Sequence, residues 1–193
     1  EGFSNKTIWP HFHYFTQYTA YSDEFWESYL TVNARFCNVV ANQLQEGDVV
    51  WVHDYQLMLV PGMLRKLFPD LTIGFFLHIP FPSYEIFRTL PWRNEILTGI
   101  LGADLIGFHT FGYMRHFLSS AYRIMGLEHQ FGKLLHNNRS VFVDVFPMGI
   151  DYEKYAFPTI EGPVSDDVKF IQEYSERRTL ILTIDRLDYS KGI

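Results

Sequence analysis

Five short apolar runs constrain this chain most: residues 49–52, 73–77, 105–108, 141–146 and 179–184. Each is too short for a helix and is separated from the next by residues with helical spacing. Strand, loop and helix in repetition build an α/β domain, a parallel sheet with helices on both faces. Ligands of such sheets collect beyond the carboxyl ends of the strands. The residues that follow each run therefore matter most: His53-Asp54-Tyr55, His78, His109-Thr110, Met148-Gly149, and the stretch from Arg186 to Lys191.

Between the runs, Ser22 followed by Asp23-Glu24 forms a capping pattern. Phe25, Tyr29, Val32, Phe36, Val39, Val40 and Leu44 then recur at helical spacing, up to Gly47. Further helices are predicted over 56–67, with Pro61 near the start or at a kink, and over 83–90, 93–101 and 111–125, the last capped by Gly126. Residues 1–21 read as aromatic and irregular, broken at Trp9-Pro10, and 165–176 as an exposed charged helix. These elements divide the chain into a first domain over 1–150, a linker and helix over 151–177, and the opening strand and phosphate loop of a second domain over 178–193.

Composition excludes several classes of function. The net charge of −6 disfavours bulk attraction to nucleic acid or to an anionic membrane, so basic groups receiving an anion must be local. No apolar run approaches the roughly 18–20 residues that span a bilayer. The single Cys37, on the apolar face of a predicted helix, permits no disulfide framework and reads as a buried free thiol in a reducing, cytoplasmic setting. His11 and His13 have no third ligand nearby, and neither a His-Glu-x-x-His nor an Asp-x-Asp pattern occurs, so no metal is expected. The glycine-rich loops of dinucleotide and NTP binding are missing too, so no cofactor is expected.

Four places carry candidate chemistry. Asp54, at a strand exit, can orient a hydroxyl or act as a base, and an aspartate there equally serves as cap of a helix starting at Gln56. His78 sits between an apolar strand and the rigid Pro80-Phe81-Pro82 turn, and is either a site residue or a structural donor. Arg186 and Lys191, beside Gly192, can hold a diphosphate, or can pair with Asp185 and Asp188 on the surface. Trp9, with Asn5 nearby, offers an indole face for a sugar or a core ring.

Six segments in order then resemble one family. They are Gly2-Phe3-Ser4-Asn5-Lys6-Thr7-Ile8-Trp9-Pro10, Trp51-Val52-His53-Asp54-Tyr55, and Gly74-Phe75-Phe76-Leu77-His78-Ile79-Pro80-Phe81-Pro82. Asp104-Leu105-Ile106-Gly107-Phe108-His109-Thr110, Pro147-Met148-Gly149-Ile150, and Arg186-Leu187-Asp188-Tyr189-Ser190-Lys191-Gly192 complete the set. The chain resembles the trehalose-6-phosphate synthases, retaining glucosyltransferases of GT-B architecture with two Rossmann-like domains. The resemblance implies most of the N-terminal half of such an enzyme. It also implies transfer of glucose from UDP-glucose to glucose 6-phosphate, giving trehalose 6-phosphate and UDP.

By the same resemblance, Trp9 and Asp54 contact the acceptor sugar, His78 faces the donor glucose, and Arg186 and Lys191 hold the donor diphosphate. Asp54, Arg186 and Lys191 are the catalytic candidates. A homo-oligomer and a phosphatase domain elsewhere in a longer chain are compatible with the family. Gln56 departs from the pattern, standing where many relatives carry a second histidine. The chain reads as an excerpt that opens its second domain without building it, and alone it is expected not to turn over substrate. The competing reading is a non-catalytic homologue that binds sugar phosphates and regulates.

Overall fold

The computed structural model describes residues 1–156, 166–175, 178–181 and 183–192. They fall into two compact units, Glu1–Pro147 and Met148–Ile193.

In the first unit, a wide helical turn over Gly2–Ile8 runs directly into helix α1, Trp9–Phe12. The opening segment is thus helical rather than irregular. Pro10 is accommodated in the first turn of α1, where its missing N–H costs nothing. Helix α2, Asp23–Ala41, starts where the Ser22 hydroxyl accepts the Phe25 N–H at 3.4 Å. Strand β1, Val49–His53, leads through a tight turn at Tyr55–Leu57 to α3, Val60–Leu67. Strand β2, Thr72–Leu77, follows, then the short α4, Tyr84–Phe87, and α5, Arg93–Ile100. Strand β3, Leu105–Phe108, precedes α6, Phe111–Met125, which ends at Gly126 in the left-handed conformation (φ 71°). Strands β4, His129–Gln130, β5, Lys133–His136, and β6, Arg139–Val145, complete the sheet.

The strand order is β1-β2-β3-β6-β5-β4. β1, β2, β3 and β6 run parallel, with His53 opposite Phe76, Leu77 opposite Phe108, and Phe108 opposite Val145. All four therefore deliver their carboxyl ends to one edge. β6 is the strand expected over 141–146, whereas the antiparallel β4–β5 hairpin added to its far side is absent from the sequence-based expectation. Its turns are nevertheless encoded: Phe131-Gly132 and Asn137-Asn138 each place two successive residues at positive φ, the backbone a tight hairpin demands.

Alternate strand residues Val52, Ile73, Phe75, Leu77, Ile106, Phe108 and Val143 join one buried core with Tyr29, Leu64, Leu97 and Phe117 from the helices. On the other face Val49, Trp51, Leu105 and Phe142 keep 42–67% of their surface exposed. Helices α3 and α5 meet backbone to backbone, since a Cβ on Gly99 would collide with the Met58 carbonyl and one on Gly102 with Gly62. At the amino edge, Asp104 bridges Arg65 (2.7 Å) and Arg139 (2.8 Å) and accepts the Ile73 N–H.

The inward line of α2 departs from the predicted face. Trp26, Tyr29, Asn33 and Cys37 are buried, whereas Val32, Phe36 and Val39 are exposed. Asn33 is completely buried, and a pattern built on apolar residues alone passes over it. The Cys37 thiol is buried, as expected, and burial pushes its pKa up.

The second unit contains α7, Tyr152–Ala156, and α8, Asp166–Ser175. The predicted linker falls partly on α7, and its remainder lies outside the described residues. The strand expected over 179–184 does not form among the described residues, and Ile181 and Ile184 are more than four-fifths exposed. A strand needs a hydrogen-bonding neighbour, and the strand pairing among the described residues all belongs to the first unit. Among the described residues, no helix is long and apolar enough to cross a membrane.

Candidate active site at the carboxyl edge of the sheet

The exits of β1, β2 and β3 bring His53, Asp54, His78 and His109 together. Asp54 is placed by its backbone. Its N–H donates to the Phe76 carbonyl at 2.8 Å, one more rung of the β1–β2 ladder, and the chain then turns sharply at φ 71°, ψ 174°. That region is nearly closed to residues with a Cβ, and holding one there costs about 1–3 kcal/mol. The carboxylate makes no cap bond to the following turn, so the capping role open in the sequence is not the one adopted. It reaches across to β2 and accepts the His78 N–H at 3.1 Å.

His78 is fixed from both sides. Its Nε2 lies 2.9 Å from Nδ1 of His53, a distance at which one ring supplies the proton and the other the lone pair. The loop that follows is anchored by Phe81, fully buried among Phe12, Phe87, Phe108 and Phe117. The Phe81 carbonyl meets Nδ1 of His116 at 3.0 Å, and the Ser83 N–H donates to the Tyr14 hydroxyl at 2.7 Å. The His78 ring packs on Phe76 and lies edge-on to His109, with centroids 5.5 Å apart.

His109 completes the cluster. Burial, reinforced by the neighbouring His78, lowers its pKa, and the Asp54 charge opposes this only in part. The ring is therefore neutral at neutral pH, with one nitrogen donating and the other accepting. His53 and His109 stand at strand exits in the sequence, yet sequence reasoning does not single them out as site residues. Their signal is present, a histidine directly at the end of each of three adjacent apolar runs. Among the described residues, no three His, Cys, Asp or Glu side chains are grouped as a metal site requires.

Trp9 is half-buried, its ring 5.8 Å from that of Tyr55, the residue after Asp54, and 4.1 Å from His13. The helical turn of residues 2–12 thus lays the indole beside the Asp54 turn. Asn5 is exposed on that turn. His11, completely buried, is structural: its Nε2 lies 3.0 Å from the Ile86 carbonyl, and burial lowers its pKa.

Arg186 and Lys191 lie in the second unit on one short segment. The Asp188 carboxylate accepts the Ser190 N–H at 2.9 Å and opens a single helical turn over Tyr189–Lys191, which Gly192 closes at φ 71°. Lys191 Nζ is 3.4 Å from Asp185, whose carboxylate also accepts the Arg186 N–H. That N–H bond first, and Lys191 next, lower the Asp185 pKa. Both cationic side chains reach solvent. The surface pairing foreseen as an alternative includes the Lys191–Asp185 contact, and Asp188 also caps the turn that follows it.

Comparisons with known proteins bear on this constellation. The model of glycosyltransferase family 20 matches residues 1–193. The UDP-forming α,α-trehalose-phosphate synthase A of Dictyostelium discoideum is 50% identical over the whole chain, which covers 26% of that protein. The solved trehalose-6-phosphate synthase OtsA superposes with a TM-score of 0.90 at 33% identity, over 99% of this chain and 42% of its own. The Burkholderia xenovorans α,α-trehalose-phosphate synthase in complex with glucose-6-phosphate gives a TM-score of 0.83 at 31% identity, over 99% and 43%. The chain thus spans between about a quarter and two fifths of these relatives. With its α/β first unit superposing on solved synthases and the family model spanning every residue, the chain belongs to glycosyltransferase family 20.

Proposed function

We propose that this chain is part of a UDP-forming α,α-trehalose-phosphate synthase, which transfers glucose from UDP-glucose to glucose 6-phosphate with retention of configuration. The observation that carries the reading is the Asp54 carboxylate, forced to the carboxyl edge of the sheet and held on the His78 N–H beside two further imidazoles. A fixed carboxylate beside backbone and imidazole hydrogen-bonding groups suits a polyhydroxylated ligand. The glucose-6-phosphate complex of the Burkholderia relative supports the choice of acceptor.

In this reading Asp54 accepts a hydrogen bond from an acceptor hydroxyl, and the Trp9 indole packs against the apolar face of that sugar. His78 faces the donor glucose. Arg186 and Lys191 bind the diphosphate and meet the charge that grows on it as the bond to the anomeric carbon breaks. The electron pair of that bond passes to the departing phosphate oxygen. The acceptor's anomeric oxygen bonds to the same carbon from the same face, and its proton moves to the departing phosphate. Trehalose 6-phosphate and UDP result, with no enzyme nucleophile. A double displacement would instead need a carboxylate at the anomeric carbon, for which Asp54 is the local candidate. A cytoplasmic location belongs to the same proposal, in keeping with a lone, buried cysteine thiol.

The test is UDP release by the full-length protein supplied with UDP-glucose and glucose 6-phosphate, with the disaccharide phosphate identified as product. Binding of both ligands without UDP release would mark a non-catalytic homologue instead.

A further inference from the structure

Helix α2 carries two buried polar side chains whose bonds leave the helix and end on a single piece of backbone. The Tyr29 hydroxyl donates to the Tyr55 carbonyl at 2.7 Å and accepts the Met58 N–H at 3.1 Å. Asn33 donates to the Gln56 carbonyl at 3.0 Å and, within the helix, to the Tyr29 carbonyl at 2.9 Å; its Oδ1 accepts the Leu59 N–H at 3.2 Å. Four backbone groups between Tyr55 and Leu59 are thereby satisfied by two side chains. Burial pushes the Tyr29 phenol far up, so it stays a neutral hydroxyl able to donate and accept at once.

The piece of backbone so held begins directly after Asp54. A turn at φ 71° with a Cβ present relaxes unless its surroundings over-determine it. On one side the β1–β2 ladder holds the Asp54 N–H; on the other, the bonds from α2 hold residues 55–59. The helix contributes nothing else polar to that turn among the described bonds, and Cys37, one turn further along the same buried line, makes none to it.

We infer that Tyr29 and Asn33 are positioning residues for acceptor binding: from α2 they hold the turn that aims the Asp54 carboxylate. The inference rests on the proposed acceptor role of Asp54. It assigns to two buried core positions a part in substrate affinity that burial alone would not reveal.

The experiment uses the full-length protein with Y29F, which removes one oxygen and keeps the ring, and with Asn33→Asp, which keeps the shape and loses both donors. C37A is the control, a comparable loss of core packing without bonds to the turn. Calorimetry with glucose 6-phosphate and, separately, UDP is paired with crystal structures of the variants. Y29F and Asn33→Asp are expected to weaken glucose 6-phosphate binding about tenfold while UDP binding changes less than about twofold. Their structures should show the Asp54 carboxylate displaced from the His78 N–H. C37A should alter neither. Equal weakening by C37A, equal loss of both ligands, or an unmoved carboxylate would each overturn the inference. Should the unsubstituted protein bind no glucose 6-phosphate, the proposed function falls, and the variant structures alone decide whether α2 holds the turn.

Discussion

The Asp54 carboxylate accepts the backbone N–H of His78 at 3.1 Å, so the exits of two neighbouring strands are tied by a bond between the residues proposed to face the two sugars. A shift of either loop is then felt by the other, because the donor is main chain and moves only with β2. Substitution at Asp54 has two separable effects, one through the carboxylate and one through the turn.

The first is chemical. Asp54→Asn keeps the shape and an oxygen acceptor but removes the charge. Use of glucose 6-phosphate should weaken by about one to two orders of magnitude, with UDP affinity near normal. Initial rates against each substrate in the full-length enzyme check this, and equal loss of both would indicate misfolding.

The second is conformational. Neither Asp54→Ala nor Asp54→Gly retains the carboxylate, but glycine adopts φ 71° without a Cβ clash. After glycine's greater entropy loss on folding is counted, Asp54→Gly should be the more stable of the two by about 1 kcal/mol. Denaturant midpoints of the two variants decide it.

Arg186→Ala should lower kcat by about a hundredfold or more, while KM for glucose 6-phosphate changes by less than about threefold, because its partner charge develops as the donor bond breaks. An unchanged kcat would remove Arg186 from the proposed mechanism.

At the opposite edge of the sheet, Asp104 accepts three bonds, from Arg65, Arg139 and the Ile73 N–H, while remaining about one-third exposed. Asp104→Ala leaves two half-buried guanidiniums without their charge partner. It should cost about 2–3 kcal/mol by thermal or chemical unfolding. Ligand affinities below the melting range should be preserved, since the site lies at the other ends of these strands.

Stability should decline in mild acid. Burial is the first cause lowering the pKa values of His11, His109 and His136. In the unfolded chain these rings take up protons near pH 6.5, whereas in the folded protein they do so only at lower pH. Between those values the unfolded state binds more protons, so the contribution is complete above about pH 6.5 and is lost as the pH falls toward the folded values. Melting temperatures between about pH 7.5 and 5 should show the decline, and His11→Asn should reduce its slope.

The parallel strands were legible because a strand buried in such a sheet is a short unbroken apolar run, as at residues 73–77. Ser22 and Gly126 announced helix ends for equally local reasons. The β4–β5 hairpin escaped because its strands are very short and partly exposed, though Asn137-Asn138 carried the turn into β6. The inward face of α2 escaped because a buried asparagine is stable only where its amide meets backbone from elsewhere, here Gln56 and Leu59. The run at 179–184 has the composition of a strand, yet composition supplies no partner.

Local chemistry, written in the order of residues, determined the parallel strands of the first unit, the helix ends at Ser22 and Gly126, and the family. Tertiary structure alone decided that His53 meets His78, that His109 is neutral, and that Asp54 turns away from its own helix toward the next strand. The reason is register. Which residues face one another across parallel strands depends on backbone bonds between segments far apart in the chain, and no local propensity specifies that pairing.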